Sequence, residues 1–156
     1  MKALVTYFSA SGVTRSVAQS LAAAINAPIY EIRPEVPYTD EDLDWRDRES
    51  RSSLEMSDKN CRPALADKNA PIEDAEVIFV GYPVWWYREP SIIDSFLEAY
   101  DFSGKKIVPF ATSGSSDIGT EAPARMKEIT GAIVDKGKRF PANADGDSLK
   151  KWAETM

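Results

Sequence analysis

The sequence predicts an α/β protein built on a doubly wound, five-stranded parallel sheet with helices on both faces. Three observations carry that expectation. Short runs rich in β-branched and aromatic residues alternate with stretches whose apolar residues recur at helical spacing. The run Glu76 to Tyr82 (EVIFVGY) is nearly all apolar, as a strand buried on both faces requires. At 156 residues, 43% hydrophobic and 28% charged, the chain suffices for one domain spanning residues 1–156. Strands alternating with helices then imply right-handed crossovers.

Lys2 to Phe8 (KALVTYF) reads as the first strand. Arg15 to Ile25 reads as the first helix, with Val17, Ala18, Leu21, Ala22 and Ile25 on one face. Between them lies the polar run Ser9, Ala10, Ser11, Gly12, Val13, Thr14. A loop at a helix start meets unpartnered N–H groups and the positive end of the helix dipole, so it suits an anion. Three hydroxyls add donors, and Gly12 lets the backbone approach closely. The run has neither the Gly-Lys-Ser/Thr ending of a triphosphate loop nor a three-glycine dinucleotide fingerprint. It suits a terminal phosphate monoester, although Ser and Thr are also favoured as ordinary helix caps.

Asn26-Ala27-Pro28 breaks the helix, and Ile29 to Ile32 is a short second strand. Residues 35–71 read as one or two short surface helices in a long crossover, with a helix start expected at Thr39 and Asp42. The third strand, Glu76 to Tyr82, leads into Pro83, Val84, Trp85, Trp86, Tyr87, Arg88, Glu89, Pro90. Three adjacent aromatics cannot all face one core, so at least one ring should be exposed or covered by a ligand. Pro90 opens a helix whose stripe is Ile92, Ile93, Phe96, Leu97 and Tyr100.

Lys106 to Ala111 is the fourth strand, although Pro109 removes a ladder donor there. A second glycine and hydroxyl loop follows, Thr112, Ser113, Gly114, Ser115, Ser116, then Asp117 to Gly119. A helix from Thr120 to Ile129 ends at Gly131. Ala132 to Phe140 supplies the last strand, turning basic as a sheet edge does, and Asp147 caps a closing helix with Leu149, Trp152 and Ala153.

In such sheets ligands bind beyond the carboxyl ends of the strands, where the strand order reverses. The loops after the first, third and fourth strands are the unusual ones, and they become neighbours if the order is 2-1-3-4-5. Ser-Ala-Ser-Gly-Val-Thr after the first strand resembles the phosphate loop of the flavodoxins. The likeness extends through Gly-Tyr-Pro-Val-Trp-Trp to Thr112-Ser113-Gly114, and is nearest the bacterial flavodoxin-like branch with a Pro-Ile/Val-Trp-Trp loop. That loop usually continues with Gly, whereas Tyr87-Arg88 stands here.

The resemblance implies FMN as cofactor and a carrier of one or two electrons with no catalytic side chain. Phosphate would sit on Ser9 to Thr14. The flavin ring would lie against Trp85, Trp86 or Tyr87, with Ser113 to Ser116 at its other edge. An acidic protein and an aromatic sandwich both disfavour a reduced anionic flavin, which should lower its final reduction potential.

Net charge is −6, from 19 Lys and Arg against 25 Asp and Glu, so nucleic acid and anionic membrane surfaces are poor partners and basic redox proteins are better ones. Those partners would be a reductase and an acceptor. The lone Cys61 gives no internal disulfide, and the absence of His removes the usual general base and most zinc sites. No apolar run approaches a membrane span and no leader precedes the first strand, so a cytoplasmic location is expected. The alternative on the same fold is an FMN-dependent NAD(P)H reductase of quinones or nitroaromatics, in which Arg88 would attract an anionic substrate; pairing of Arg88 with the neighbouring Glu89 is the other role open to it. A non-redox receiver ranks lower, because the first strand carries no acidic residue.

Overall fold

A computed structural model describes residues 2–113 and 117–156. Strand β1 (Ala3–Tyr7) is followed by α1 (Val13–Ile25) and β2 (Ile29–Glu31). A long connection carries α2 (Arg51–Ser57) and a 3-10 turn at Ile72–Asp74. Then come β3 (Val77–Pro83), α3 (Ser91–Ala99), β4 (Lys106–Thr112) and α4 (Glu121–Thr130). The chain finishes with β5 (Ile133–Val134), β6 (Lys138–Phe140) and α5 (Gly146–Glu154). The sheet order is β2-β1-β3-β4-β5, every pairing parallel, as the sequence predicts.

The alternation of side chains along β3 explains why its sequence is apolar throughout. Ile78, Val80 and Tyr82 bury into the layer that holds Ile92, Phe96 and Met126, while Val77 and Phe79 bury opposite, with Val17, Leu21 and Trp152. Gly81 is set by packing on that second face. An alanine Cβ there would stand 2.2 Å from Cζ of the fully buried Phe110, which cannot move aside. Gly81→Ala is therefore expected to cost roughly 1–3 kcal/mol, read as a lower urea midpoint with an unchanged slope. An unchanged midpoint would contradict this packing.

The sheet has six strands rather than five, because the expected last strand is two. β5 pairs with Lys106 and Ile107, and β6 pairs with Phe110 to Thr112. The break explains Pro109. The carbonyl of Ile107 accepts from Asp135 N at 2.9 Å, so the alternate residue Pro109 faces the same edge. There the partner chain turns away through Asp135 and Gly137, the latter at φ +76° and packed against the Pro109 carbonyl. The missing N–H of Pro109 lies where no ladder bond is required.

Three local expectations are corrected. Thr39 and Asp42 do exchange reciprocal bonds, Thr39 N to Asp42 Oδ2 at 3.0 Å and Asp42 N to Thr39 Oγ1 at 3.2 Å. Only turns follow, since the next residues offer no apolar face, and the one α-helix of the connection starts later, capped by Ser50. The closing helix is capped by Asp145, whose Oδ1 accepts from Ser148 N at 2.7 Å, and Asp147 sits in its first turn. Pro90 occupies the cap position of α3, one residue before the helix. Among the described residues, no helix is long and apolar enough to cross a membrane.

Candidate functional site

The three unusual loops meet at the carboxyl edge of the sheet. Thr14, buried in the first turn of α1, shares a 2.7 Å hydrogen bond with Thr112 at the end of β4. Pro83 pairs in register with Thr112, and Val84 N donates to the Thr112 carbonyl at 3.2 Å. Phe8, at the end of the first strand, packs edge to face on Trp85 at 5.6 Å. On the far side Gly119 approaches the Tyr87 carbonyl. Ser113 receives Arg139, whose Nε donates to its Oγ at 3.2 Å. Gly114, Ser115 and Ser116 lie outside the described residues.

Helix α1 begins unlike an ordinary capped helix. Its cap position is Gly12, at φ +94°, with no side-chain cap bond and no acidic residue in the first turn. Ser9 Oγ accepts from Gly12 N at 3.0 Å, which folds the loop back, and among the described residues no side chain caps the N–H groups of Val13, Thr14 and Arg15. Nothing lies within 4 Å of where a Gly12 Cβ would be. The result is an open, uncapped helix start flanked by Ser9, Ala10 and the exposed Ser11. Thr14 differs from the expectation, since its hydroxyl faces inward and ties this loop to the fourth strand.

The aromatic loop is a tight reverse turn. Trp85 and Arg88 exchange both backbone bonds, at 3.0 and 3.1 Å, and Trp86 and Tyr87 between them take φ +47° and +68°. Two positive φ values at the centre define a type I′ turn, which normally favours Asn and Gly. The Gly usual after Trp-Trp in the resembled loop would fit the Tyr87 position without strain. A bulky residue there costs about 1–2 kcal/mol. Trp85 is held edge to face between Phe8 and Tyr38, the second at 5.5 Å. Trp86 and Tyr87 are 41% and 79% exposed, so theirs are the rings with open faces.

Tyr38, which sequence reading missed, comes from the long connection and completes this aromatic trio. Its ring carries the Arg51 guanidinium at 3.9 Å and its hydroxyl donates to Glu55. A lone tyrosine among charged residues gave no signal.

Beneath the turn lies a buried ionic cluster, of which sequence reading weighed only a pairing of Arg88 with Glu89 and missed Asp94 and Arg125. Arg88 is only 2% exposed, donating to the carbonyls of Glu89 at 3.0 Å and Met56 at 3.4 Å. Its guanidinium lies 3.7 Å from Asp94, which leaves it unavailable to attract a substrate. Arg125 bridges Glu89 at 3.0 Å and Asp94 at 2.7 Å, both carboxylates fully buried. Burial first, then the hydrogen bond and charge of Asp94, push the Glu89 carboxyl up to about 9, against the pull of Arg125. With both acids ionised, Glu89 Oε1 and Asp94 Oδ1 would have no donor. A proton kept on Glu89 and donated to Asp94 satisfies both.

A doubly wound sheet of this order, with ligand-suited loops converging at its carboxyl edge, defines a flavodoxin-like protein. A family model described as Flavodoxin matches residues 2–156. The chain belongs to the flavodoxin family. A solved protein from Bacteroides uniformis designated a flavoprotein is 43% identical, with a TM-score of 0.91 over 98% of this chain and 97% of that one. Another so designated, from Bacteroides eggerthii, is 40% identical, with a TM-score of 0.92 over 99% and 97%. A flavoprotein from Lactobacillus acidophilus, solved in complex with FMN, shares the fold at 21% identity and a TM-score of 0.70 over 97% and 98%. No curated protein sequence matches.

Proposed function

We propose that the chain binds FMN at the carboxyl edge of its sheet and carries electrons between a reductase and an acceptor protein. The observation that carries this reading is the uncapped start of α1 at Gly12, beside a turn that presents two open aromatic faces. The FMN held by the Lactobacillus acidophilus relative supports it. Bound FMN would supply the one- and two-electron chemistry. The chain's own residues would bind and orient it: Ser9, Ser11 and the first-turn N–H groups toward phosphate, and Trp86 and Tyr87 toward the ring. The carrier reading is favoured over a reductase drawing anionic substrates, because Arg88 is buried and paired.

The test is a visible spectrum of the protein after FMN addition and desalting, followed by titrations with FMN and riboflavin. Retained flavin bands are expected. Ser11→Ala should weaken FMN by about tenfold or more, the usual effect of losing one charge-assisted hydrogen bond, and leave riboflavin nearly unchanged. A protein that stays colourless, or equal weakening of both ligands, would overturn the assignment.

A further inference from the structure

The turn that presents Trp86 and Tyr87 is strained at both residues, φ +47° and +68°, and their side chains are exposed, so burial does not hold them in place. The two ends of the turn have to do so. Its entry is tied to the sheet, where Val84 N donates to the Thr112 carbonyl at 3.2 Å. Its exit carries Arg88 and Glu89, whose buried side chains enter the ionic cluster beneath. We propose that Glu89 is the positioning residue of this turn and acts only in its protonated form, so that losing the proton it shares with Asp94 loosens the grip on the flavin ring. The ligand in this scheme rests on the flavin reading above, whereas the moving part does not.

The geometry couples the proton to the turn. Glu89 comes directly after Arg88, and Asp94 lies in the first turn of α3, which starts just past Pro90. Both carboxyls are fully buried. Their outer oxygens, Oε2 and Oδ2, take Arg125 at 3.0 and 2.7 Å, while Glu89 Oε1 and Asp94 Oδ1 have no donor among the described residues. One proton between the inner oxygens closes the cluster. Without it, two negative oxygens lie together out of reach of solvent.

The groups around the pair offer no substitute donor. Tyr82 of β3 has a fully buried hydroxyl that bonds neither carboxyl. Arg88 stands 3.7 Å from Asp94 Oδ2, with its N–H groups on the carbonyls of Glu89 and Met56. Arg62 of the long connection approaches the same Oδ2 at 3.7 Å and bonds Glu98 outside. Further out, Glu121 of α4 pairs with Lys59 at 2.8 Å. Burial, then Asp94, hold the Glu89 proton up to about 9, so the change falls in mildly alkaline solution. When hydroxide takes that proton and forms water, the two carboxylates repel. Asp94 is fixed in its helix, so Glu89 is the partner that gives way. Its backbone is continuous with Arg88, and the displacement reaches the two bonds that close the turn on Trp85.

The experiment is fluorescence titration of the flavin-free protein with FMN and with riboflavin from about pH 7 to about pH 9.5, on the native chain and on Glu89→Gln. Tryptophan emission of both flavin-free proteins is followed over the same range. Native affinity for both flavins should fall by about fivefold, since they share the ring, and Glu89→Gln should lose that pH dependence. Native emission should shift to the red with a midpoint near pH 9, and emission of the variant should not. A flat native profile, an equal fall in the variant, or a fall for FMN alone, which would put the effect at the phosphate, would overturn the proposal. The emission change in a protein that binds no flavin at any pH would keep the proton-held turn and remove the flavin reading. Flavin binding with flat profiles would do the reverse, and neither signal would remove both.

Discussion

Asp94→Ala is expected to cost about 3–5 kcal/mol, the effect of removing one member of a buried ion pair. The side chain is fully buried in α3, and its Oδ2 lies 2.7 Å from Arg125, 3.7 Å from Arg88 and 3.7 Å from Arg62. Without it, Arg88 keeps its carbonyl contacts and loses the carboxylate that lies 3.7 Å from its guanidinium. A cation left so deep has no solvent to turn to. Glu98→Ala is the control, since Glu98 bridges Arg62 at the surface and should change stability by less than about 1 kcal/mol. Urea unfolding of both variants measures the difference, and similar midpoints would show that the cluster is not a stability element.

The second large effect is one of pH. Glu89 has its folded pKa raised to about 9, whereas in the unfolded chain it titrates near 4.5. Below about 4.5 both states hold the proton and its contribution is fully present. Between there and about 9 the unfolded chain releases a proton that the folded protein keeps, so stability falls as pH rises, by up to about 1.4 kcal/mol per unit. Above about 9 the loss levels off. Asp67 and Asp145 act in the opposite sense in more acid solution. The Tyr30 hydroxyl holds the first below its ordinary range, and the Ser148 N–H does so for the second.

Glu89→Gln separates Glu89 from the rest. The amide stays neutral, can accept from Arg125 and can donate to Asp94 at every pH. Urea midpoints of the variant and the native protein should be close at pH 5 and diverge toward pH 9, with the variant the more stable. Parallel curves across that range would mean that Glu89 is already ionised in the folded state.

The sequence made the centre of the sheet legible because its inner strands answer to a simple rule, whereas the division of the last strand into β5 and β6 did not show. Glu76 to Tyr82 could only be a doubly buried strand, and the loops after strands one, three and four were conspicuous by composition. The ionic cluster was hidden for a physical reason. Arg88, Glu89, Asp94 and Arg125 have the residue types of a solvated surface, and only the packing of α3 against α4 beneath the turn encloses them. Thr14 looked like one more phosphate donor, and its inward hydrogen bond depends on a residue 98 positions away. The backbone of Trp86 and Tyr87 was equally hidden, since two aromatics in a left-handed turn go against local preference.

The divided last strand has a consequence for the molecule in crowded solution. A long, flat outer strand offers a row of free N–H and C=O groups on which a second molecule can pair, and fibres grow by that route. Here one edge is the three-residue β2, and the other is interrupted at Asp135 to Gly137 and flanked by Lys136, Lys138 and Arg139. The turn that accommodates Pro109 thus also breaks the template for edge-to-edge polymerisation. A side chain at Gly137 would bring its Cβ to 2.5 Å from the Pro109 carbonyl oxygen, so the interruption that protects this edge depends on glycine at that position.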